Sequence, residues 1–189
     1  MAAENRQDRA IVTGGSGGIG RAICIELARS GAYVVVNYLR NQEAAEKTLS
    51  QVTEAGGQGE ILRFDVCDRL AAEEAVQQVS DRLGGIDILV NNAGAIADGL
   101  FMMMSPENWH KVIETSLYGF YNMTRPVIER MVRQQRREGK TADAHGHGEC
   151  QHPGHGNGNR LLRRQLVNGS QAGGFSVDLC CQYRFRLHA

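Results

Sequence analysis

The chain has 189 residues, with 21 Lys+Arg balanced by 21 Asp+Glu and a formal net charge of zero. That length fits one domain with a sizeable core. The balanced charge, without a basic stripe interleaved with aromatics, argues against a nucleic-acid partner. No apolar run is long enough to span a bilayer, and the polar N-terminus does not read as a signal peptide, so no membrane association is expected.

Residues 8–137 read as strands alternating with helices. An apolar strand at 10–13 feeds the run Thr13-Gly14-Gly15-Ser16-Gly17-Gly18-Ile19-Gly20, which opens into a helix at 19–29 closed by Gly31. Such a turn presents backbone N–H groups and a helix N-terminus to a pyrophosphate. Gly14 permits the sharp turn, Gly18 the approach of a ligand, and Gly20 the close packing of helix on strand. Residues 33–37 form a continuous apolar strand of the kind buried on both faces. The helix at 41–54 carries Ala45, Leu49 and Val52 on one face and stops at Gly56-Gly57. A strand at 61–66, a helix at 70–83 ended by Gly84-Gly85, and a strand at 86–91 follow. Ser105 then caps another helix, with Pro106 at its first position. The basic cluster Arg133-Gln134-Gln135-Arg136-Arg137 suits a solvated helix end. Strand–helix alternation of this kind predicts an α/β fold: a Rossmann-type doubly wound parallel sheet, with ligands at the carboxyl ends of its strands.

Three loops fall at those ends. The first is the glycine turn. The second, Asn37-Tyr38-Leu39-Arg40, is where a dinucleotide site reads the adenosine ribose. No acidic residue stands there to bind ribose hydroxyls, and Arg40 is close enough to pair with a 2′-phosphate, which favours NADP (NADPH) over NAD. The bland alternative for Arg40 is a solvated residue opening the next helix. The third loop is Asn91-Asn92-Ala93-Gly94, whose Asn amides suit holding backbone, while Ala93 and Gly94 leave room for a flat ribose or nicotinamide. Asp65 and Val66, ending the third strand, are placed to receive the adenine amino group.

Together these residues resemble the short-chain dehydrogenase/reductase family over residues 8–137. Thr13-Gly14-x-x-x-Gly18-x-Gly20 matches its cofactor loop, and Asn91-Asn92-Ala93-Gly94 its signature after the fourth strand. The surrounding wording, Ala97-Asp98-Gly99-Leu100-Phe101 with Met102, Met103 and Met104 before Ser105-Pro106-Glu107-Asn108-Trp109, is most similar to the 3-oxoacyl-(acyl-carrier-protein) reductase branch. The resemblance implies NADPH-dependent reduction of a carrier-protein-linked 3-oxoacyl thioester in fatty-acid-type synthesis, by a cytoplasmic homotetramer. It also implies cofactor contacts at Gly14, Ser16, Gly18, Ile19, Gly20, Asn37, Tyr38, Arg40, Asp65, Val66, Asn92, Ala93 and Gly94. The methionine triplet reads equally as loop packing near a substrate mouth or as core.

The chemistry of that family needs a tyrosine to deliver a proton, a lysine four residues on to lower its pKa, a serine to fix the carbonyl, and a relay asparagine. Here Ser116 stands at the relay position. The Tyr–Lys pair is absent: four residues beyond Tyr33, Tyr38, Tyr118, Tyr121 and Tyr183 lie Asn37, Gln42, Asn122, Arg125 and Leu187. The chain as written is therefore expected not to reduce ketones efficiently.

The loss coincides with a change of composition at about residue 138. From Glu138 onward there is no isoleucine or methionine, yet five of the six histidines and three of the five cysteines lie there. The odd, irregularly spaced cysteines fit reduced cytoplasmic thiols, with Cys24 and Cys67 as small core residues. Residues 1–137 are thus expected to form the dinucleotide-binding domain, cut after about its fourth strand, and 138–189 an irregular, disordered or poorly packed tail. A frameshift accounts for this change. Residues 147–151, back-translated and read one base later, permit Met-Ala-Ser-Val-Ser, and 161–164 permit Tyr-Ser-Ala-Ala, although the codon of Gln165 does not then give lysine. Two alternatives stand beside an impaired reductase: a catalytically dead dinucleotide-binding module, and a zinc-binding interaction protein using His145, His147, Cys150, His152 and His155. No CxxC or helical HxxxH pair supports the zinc reading, and no metal is expected. Adjacent Cys180 and Cys181 are poorly suited to a disulfide with each other.

Overall fold

A computed structural model of the chain describes residues 6–143 and 166–168. In chain order its elements are β1 (Arg9–Val12), α1 (Gly18–Arg29), β2 (Tyr33–Tyr38), α2 (Gln42–Glu54), β3 (Gln58–Arg63), α3 (Arg69–Leu83), β4 (Ile88–Asn91), α4 (Pro106–Ile113), α5 (Gly119–Asp143) and β5 (Leu166–Asn168). Every strand pair is parallel, in the order β3-β2-β1-β4-β5. The chain runs outward from β1 to β3 and then returns to β4 on the other side of β1. That reversal opens a crevice between the carboxyl ends of β1 and β4.

Both faces of the sheet are covered, which explains why its strands are apolar throughout rather than alternating. Ile11, Val35 and Leu89 point to one face and pack with Val76 and Val79 of α3 and Met123 and Val127 of α5. Val12, Val34, Val36 and Val90 point to the other, against Cys24 and Ala28 of α1 and Ala45 and Val52 of α2. Side-chain caps start three of the helices: Asn41 accepts from the Ala44 amide, Asp68 from Leu70 and Ala71, and Ser105 from Asn108. Gly84, at φ 76°, closes α3 in the left-handed conformation.

Several boundaries differ from the sequence reading. The third strand is Gln58–Arg63, not 61–66. Gly59 lies inside the ladder because a Cβ there would collide with the Val34 carbonyl, so close is β2. This glycine marks a close approach between strands. The fourth strand starts at Ile88, since Asp87 is held ahead of it by Arg9, whose Nε donates to the carboxylate at 2.7 Å. The long helix continues to Asp143, past the boundary placed at 137. A three-residue strand, β5, extends the sheet beside β4. Three residues are too few for a period to show, so the sequence did not mark it. Cys24 is fully buried as expected, whereas Cys67 is half-buried and its thiol donates to the Thr115 hydroxyl at 3.7 Å. The rest of the expected tail lies outside the described residues.

Candidate functional site: the crevice between β1 and β4

The two loops flanking the crevice are locked together by side chains. Thr13, at the end of β1, is the hub. Its hydroxyl accepts from the amides of Asn92 and Ala93, each at 3.0 Å, and donates to the Val90 carbonyl at 3.2 Å. Asn92 answers from the other loop: its Nδ2 donates to the carbonyls of Thr13 at 2.9 Å and Gly14 at 3.1 Å. Asn91 is buried and donates to the Thr124 hydroxyl of α5 at 3.1 Å. Neither loop can shift without breaking several of these bonds.

Inside this frame the glycines divide the work. Gly14 has φ 63°, which favours glycine. At Gly20 a Cβ would collide with the Gly14 carbonyl and come within 2.6 Å of Asn92 Nδ2. At Gly18 a Cβ would meet nothing within 4 Å, so this side of the turn is open. The N-terminus of α1 has Gly17 as its cap and no side chain accepting from its N–H groups. An uncapped helix start beside an open glycine, on a turn held from behind, fits a pyrophosphate.

The sequence-selected residues separate into those that face the crevice and those that build it. Gly14, Gly18, Gly20, Ala93 and Gly94 belong to the two locked loops, with Gly18 and Gly94 exposed. Ser16 is half-buried, and its carbonyl accepts from Arg21 Nη2 at 3.1 Å. Ile19 is exposed on the first turn of α1. Asn92 turns its amide nitrogen inward to the glycine turn, and so acts as a tie.

Asn37 and Tyr38 do not sit on an open loop. Both are in β2 and buried. Asn37 Oδ1 accepts from the Gly14 amide at 3.0 Å and its Nδ2 donates to the Phe64 carbonyl at 3.0 Å, which consumes the side chain as a brace. Tyr38 packs in the core with Val36 and Ala45. Their place one strand end further in than expected follows from β2 running through Tyr38. Arg40 alone of the three is exposed, and its guanidinium makes no hydrogen bond or ion pair with any described residue.

Asp65 and Val66 lie in the turn after β3 rather than at its end. Asp65 Oδ1 accepts from the Cys67 amide at 2.8 Å. The Val66 side chain is in the core and its carbonyl is taken by Asn122 Nδ2 at 3.0 Å. Cys67 follows in the same turn, and burial pushes its thiol pKa up, partly opposed by the Thr115 hydroxyl. Ser116 is half-buried on a π-helical segment, Glu114–Tyr118, that joins α4 to α5. Such single π turns recur at functional sites. Met102 and Met103 are 88% and 79% exposed, which excludes the core reading for them.

Sequence reasoning missed Thr13 as the hub, Asn122 as a tether and Arg21 as a partner of the turn. Thr13 carried a signal, since it immediately precedes Gly14. The contacts of Asn122 span 55 and 56 residues and left no local trace. Among the described residues no group of three or more His, Cys, Asp or Glu is placed to hold a metal ion. His145, His147, Cys150, His152, His155, Cys180 and Cys181 lie outside the described residues. No described helix is long and apolar enough to cross a membrane.

Comparison with known proteins agrees with this geometry. A family profile for short chain dehydrogenases matches residues 8–141. The chain is 36% identical over 126 residues to a 3-oxoacyl-[acyl-carrier-protein] reductase of Staphylococcus epidermidis, covering 67% of this chain and 52% of that protein. It is 45% identical over 118 residues to an acetoacetyl-CoA reductase of Rhizobium meliloti, covering 62% of this chain and 47% of that protein. A solved short chain dehydrogenase of Burkholderia cenocepacia in complex with NADP superposes with TM-score 0.61 at 31% identity, covering 65% of this chain and 50% of that one. The chain thus spans about half the length of the relatives it matches.

Proposed function

Because the chain belongs to the short-chain dehydrogenase/reductase family, an oxidoreductase family, we propose that it is a form of an NADP-dependent 3-oxoacyl-thioester reductase that holds the dinucleotide without turning substrate over. The observation that carries this reading is the locked pair of loops around the β1–β4 crevice, together with a sequence that lacks Tyr-x-x-x-Lys. When bound, the nicotinamide supplies or accepts the hydride. The chain's own residues would bind and orient it: the α1 N-terminus and Gly18 would hold the phosphates, Ala93 and Gly94 would border the ribose and nicotinamide, and Arg40 would pair with an adenosine 2′-phosphate. The relatives' names favour 3-oxoacyl or acetoacetyl thioesters as the substrate class, and NADP is the dinucleotide in the Burkholderia complex.

Proton delivery is what fails. Tyr121 is followed four residues on by Arg125, whose Nη1 donates to its hydroxyl at 3.2 Å, but both are exposed on α5. The Ser116 hydroxyl offers a place for a relay water without an acid to feed it. We attribute the loss to a shift of reading frame near codon 138; a cytoplasmic homotetramer belongs to the frame-restored form of this proposal.

Resequencing the locus from codon 130 to beyond codon 189 tests it. One extra or missing base, with a Tyr-x-x-x-Lys frame downstream, is the expected result. An intact frame contradicts the frameshift and leaves a dead dinucleotide-binding module as the reading.

A further inference from the structure

Between β4 and α4 the chain makes one turn of 3-10 helix, Phe101–Met103. The Met103 amide donates to the Leu100 carbonyl at 2.8 Å, and the Met104 amide to the Phe101 carbonyl at 3.1 Å. The Phe101 ring meets Trp109 of α4 edge-on, with centroids 6.0 Å apart. Three residues complete a 3-10 turn, so successive side chains leave it about 120° apart. With Phe101 turned toward Trp109, Met102 and Met103 project in other directions, and they are 88% and 79% exposed.

Two adjacent thioethers held out in water contrast with the other described methionines. Met123 and Met131 of α5 lie in the core, at 0% and 8% exposure, and Met104 is half-buried. A thioether sulfur is soft and polarizable, and it reacts with an electrophilic oxygen wherever that oxygen can reach it. The described thiols are less available. Cys24 is fully buried, and burial of the half-buried Cys67 raises its pKa, which disfavours the reactive thiolate. Among the described sulfur atoms, those of Met102 and Met103 are therefore the most open to an oxidant in solution.

We propose that Met102 and Met103 form an oxidation site for hydroperoxides, and that its conversion turns an apolar surface turn into a polar one. A sulfur lone pair takes one peroxide oxygen, so that an S–O bond forms as the O–O bond breaks. Each sulfur gives up two electrons and becomes a sulfoxide. With hydrogen peroxide the proton on the transferred oxygen passes to the oxygen that leaves, and water is released. A sulfoxide is polar where the thioether was apolar.

Hydrogen peroxide added to the full chain, followed by peptide mass spectrometry over time, tests the site. Met102 and Met103 are expected to gain oxygen at least about tenfold faster than Met123 and Met131, which react only when the core opens. The fluorescence of the apolar dye ANS is expected to fall as those two oxygens are taken up. Met102→Leu combined with Met103→Leu keeps the turn apolar and retains all five cysteines. Its dye signal is expected to hold under the same peroxide. If that variant does not fold, Met102→Gln combined with Met103→Gln is expected to start at the low signal of the oxidised wild type. Equal oxidation rates at Met102, Met103, Met123 and Met131 overturn the proposal. So does a dye signal that the wild type keeps after both oxygens are taken up, or that the leucine variant loses equally.

Discussion

Gly18 and Gly20 are two residues apart and answer to different constraints. A side chain at Gly20 meets the Gly14 carbonyl and the Asn92 amide, so it strains the protein itself; one at Gly18 meets open space. Gly20→Ala is therefore expected to lower stability by about 1–3 kcal/mol, the usual cost of overpacking. Gly18→Ala is expected to leave the melting temperature unchanged and still weaken dinucleotide binding, because its methyl group would enter the open space proposed for the phosphates. Thermal melts paired with titrations check this; a Gly18→Ala variant that binds normally would remove the turn from the site. Cys24 allows a second test. Burial pushes its thiol pKa up to about 12 from 9.0. The raised folded value means the unfolded chain loses this proton first. The stabilisation is therefore complete below pH 9.0 and is lost as pH rises toward about 12. Within that window the wild type should lose up to about 1.4 kcal/mol per pH unit more than Cys24→Ala, as read by urea denaturation at stepped pH. Parallel slopes for the two proteins would contradict it. Roles at this scale were only half legible in the sequence. The glycines could be read from spacing, since backbone geometry fixes which positions tolerate no side chain. Asn37 could not: its brace to Gly14 and Phe64 depends on which strands adjoin, and no local pattern encodes that.

Among the elements, β1, α1, β2 and α2 were legible because apolar runs and closing glycines pointed the same way. The third strand lies about three residues earlier than 61–66, which moves Asp65 and Val66 from a strand end to a turn; Gly59 sits inside it because β2 runs so close beside it. The π-helical segment at Ser116 was invisible, since one inserted residue in a helix barely disturbs a period. Beyond it, α5 is tied back to the turn after β3 by Asn122. That side chain is buried, and Nδ2 donates to the carbonyls of Val66 at 3.0 Å and Cys67 at 3.3 Å. Asn122→Ala leaves both carbonyls short of a donor and is expected to cost about 1–3 kcal/mol. Chemical denaturation measures it, and a cost below about 0.5 kcal/mol, within the range of ordinary surface substitutions, would show that the tether contributes little.

At the scale of the molecule, the sheet order places the two motif loops on either side of one crevice, and this was legible in the alternation of strands and helices. The exposure of several large apolar side chains was not. Leu100, Phe101, Met102, Met103, Leu117 and Tyr118 are all more than half exposed, and exposed apolar surface favours association. The purified chain is expected to associate with rising concentration, and sedimentation that gives a monomer across a hundredfold range would contradict that. The central claim, a dinucleotide cradle without a working proton donor, can be tested in one cuvette. NADPH fluorescence is followed while the chain is titrated in, and acetoacetyl-CoA is then added. The account predicts a saturable change in fluorescence on binding, followed by no loss of the signal once the thioester is present. Absence of binding would contradict the cradle, and steady consumption of NADPH would contradict the missing proton donor.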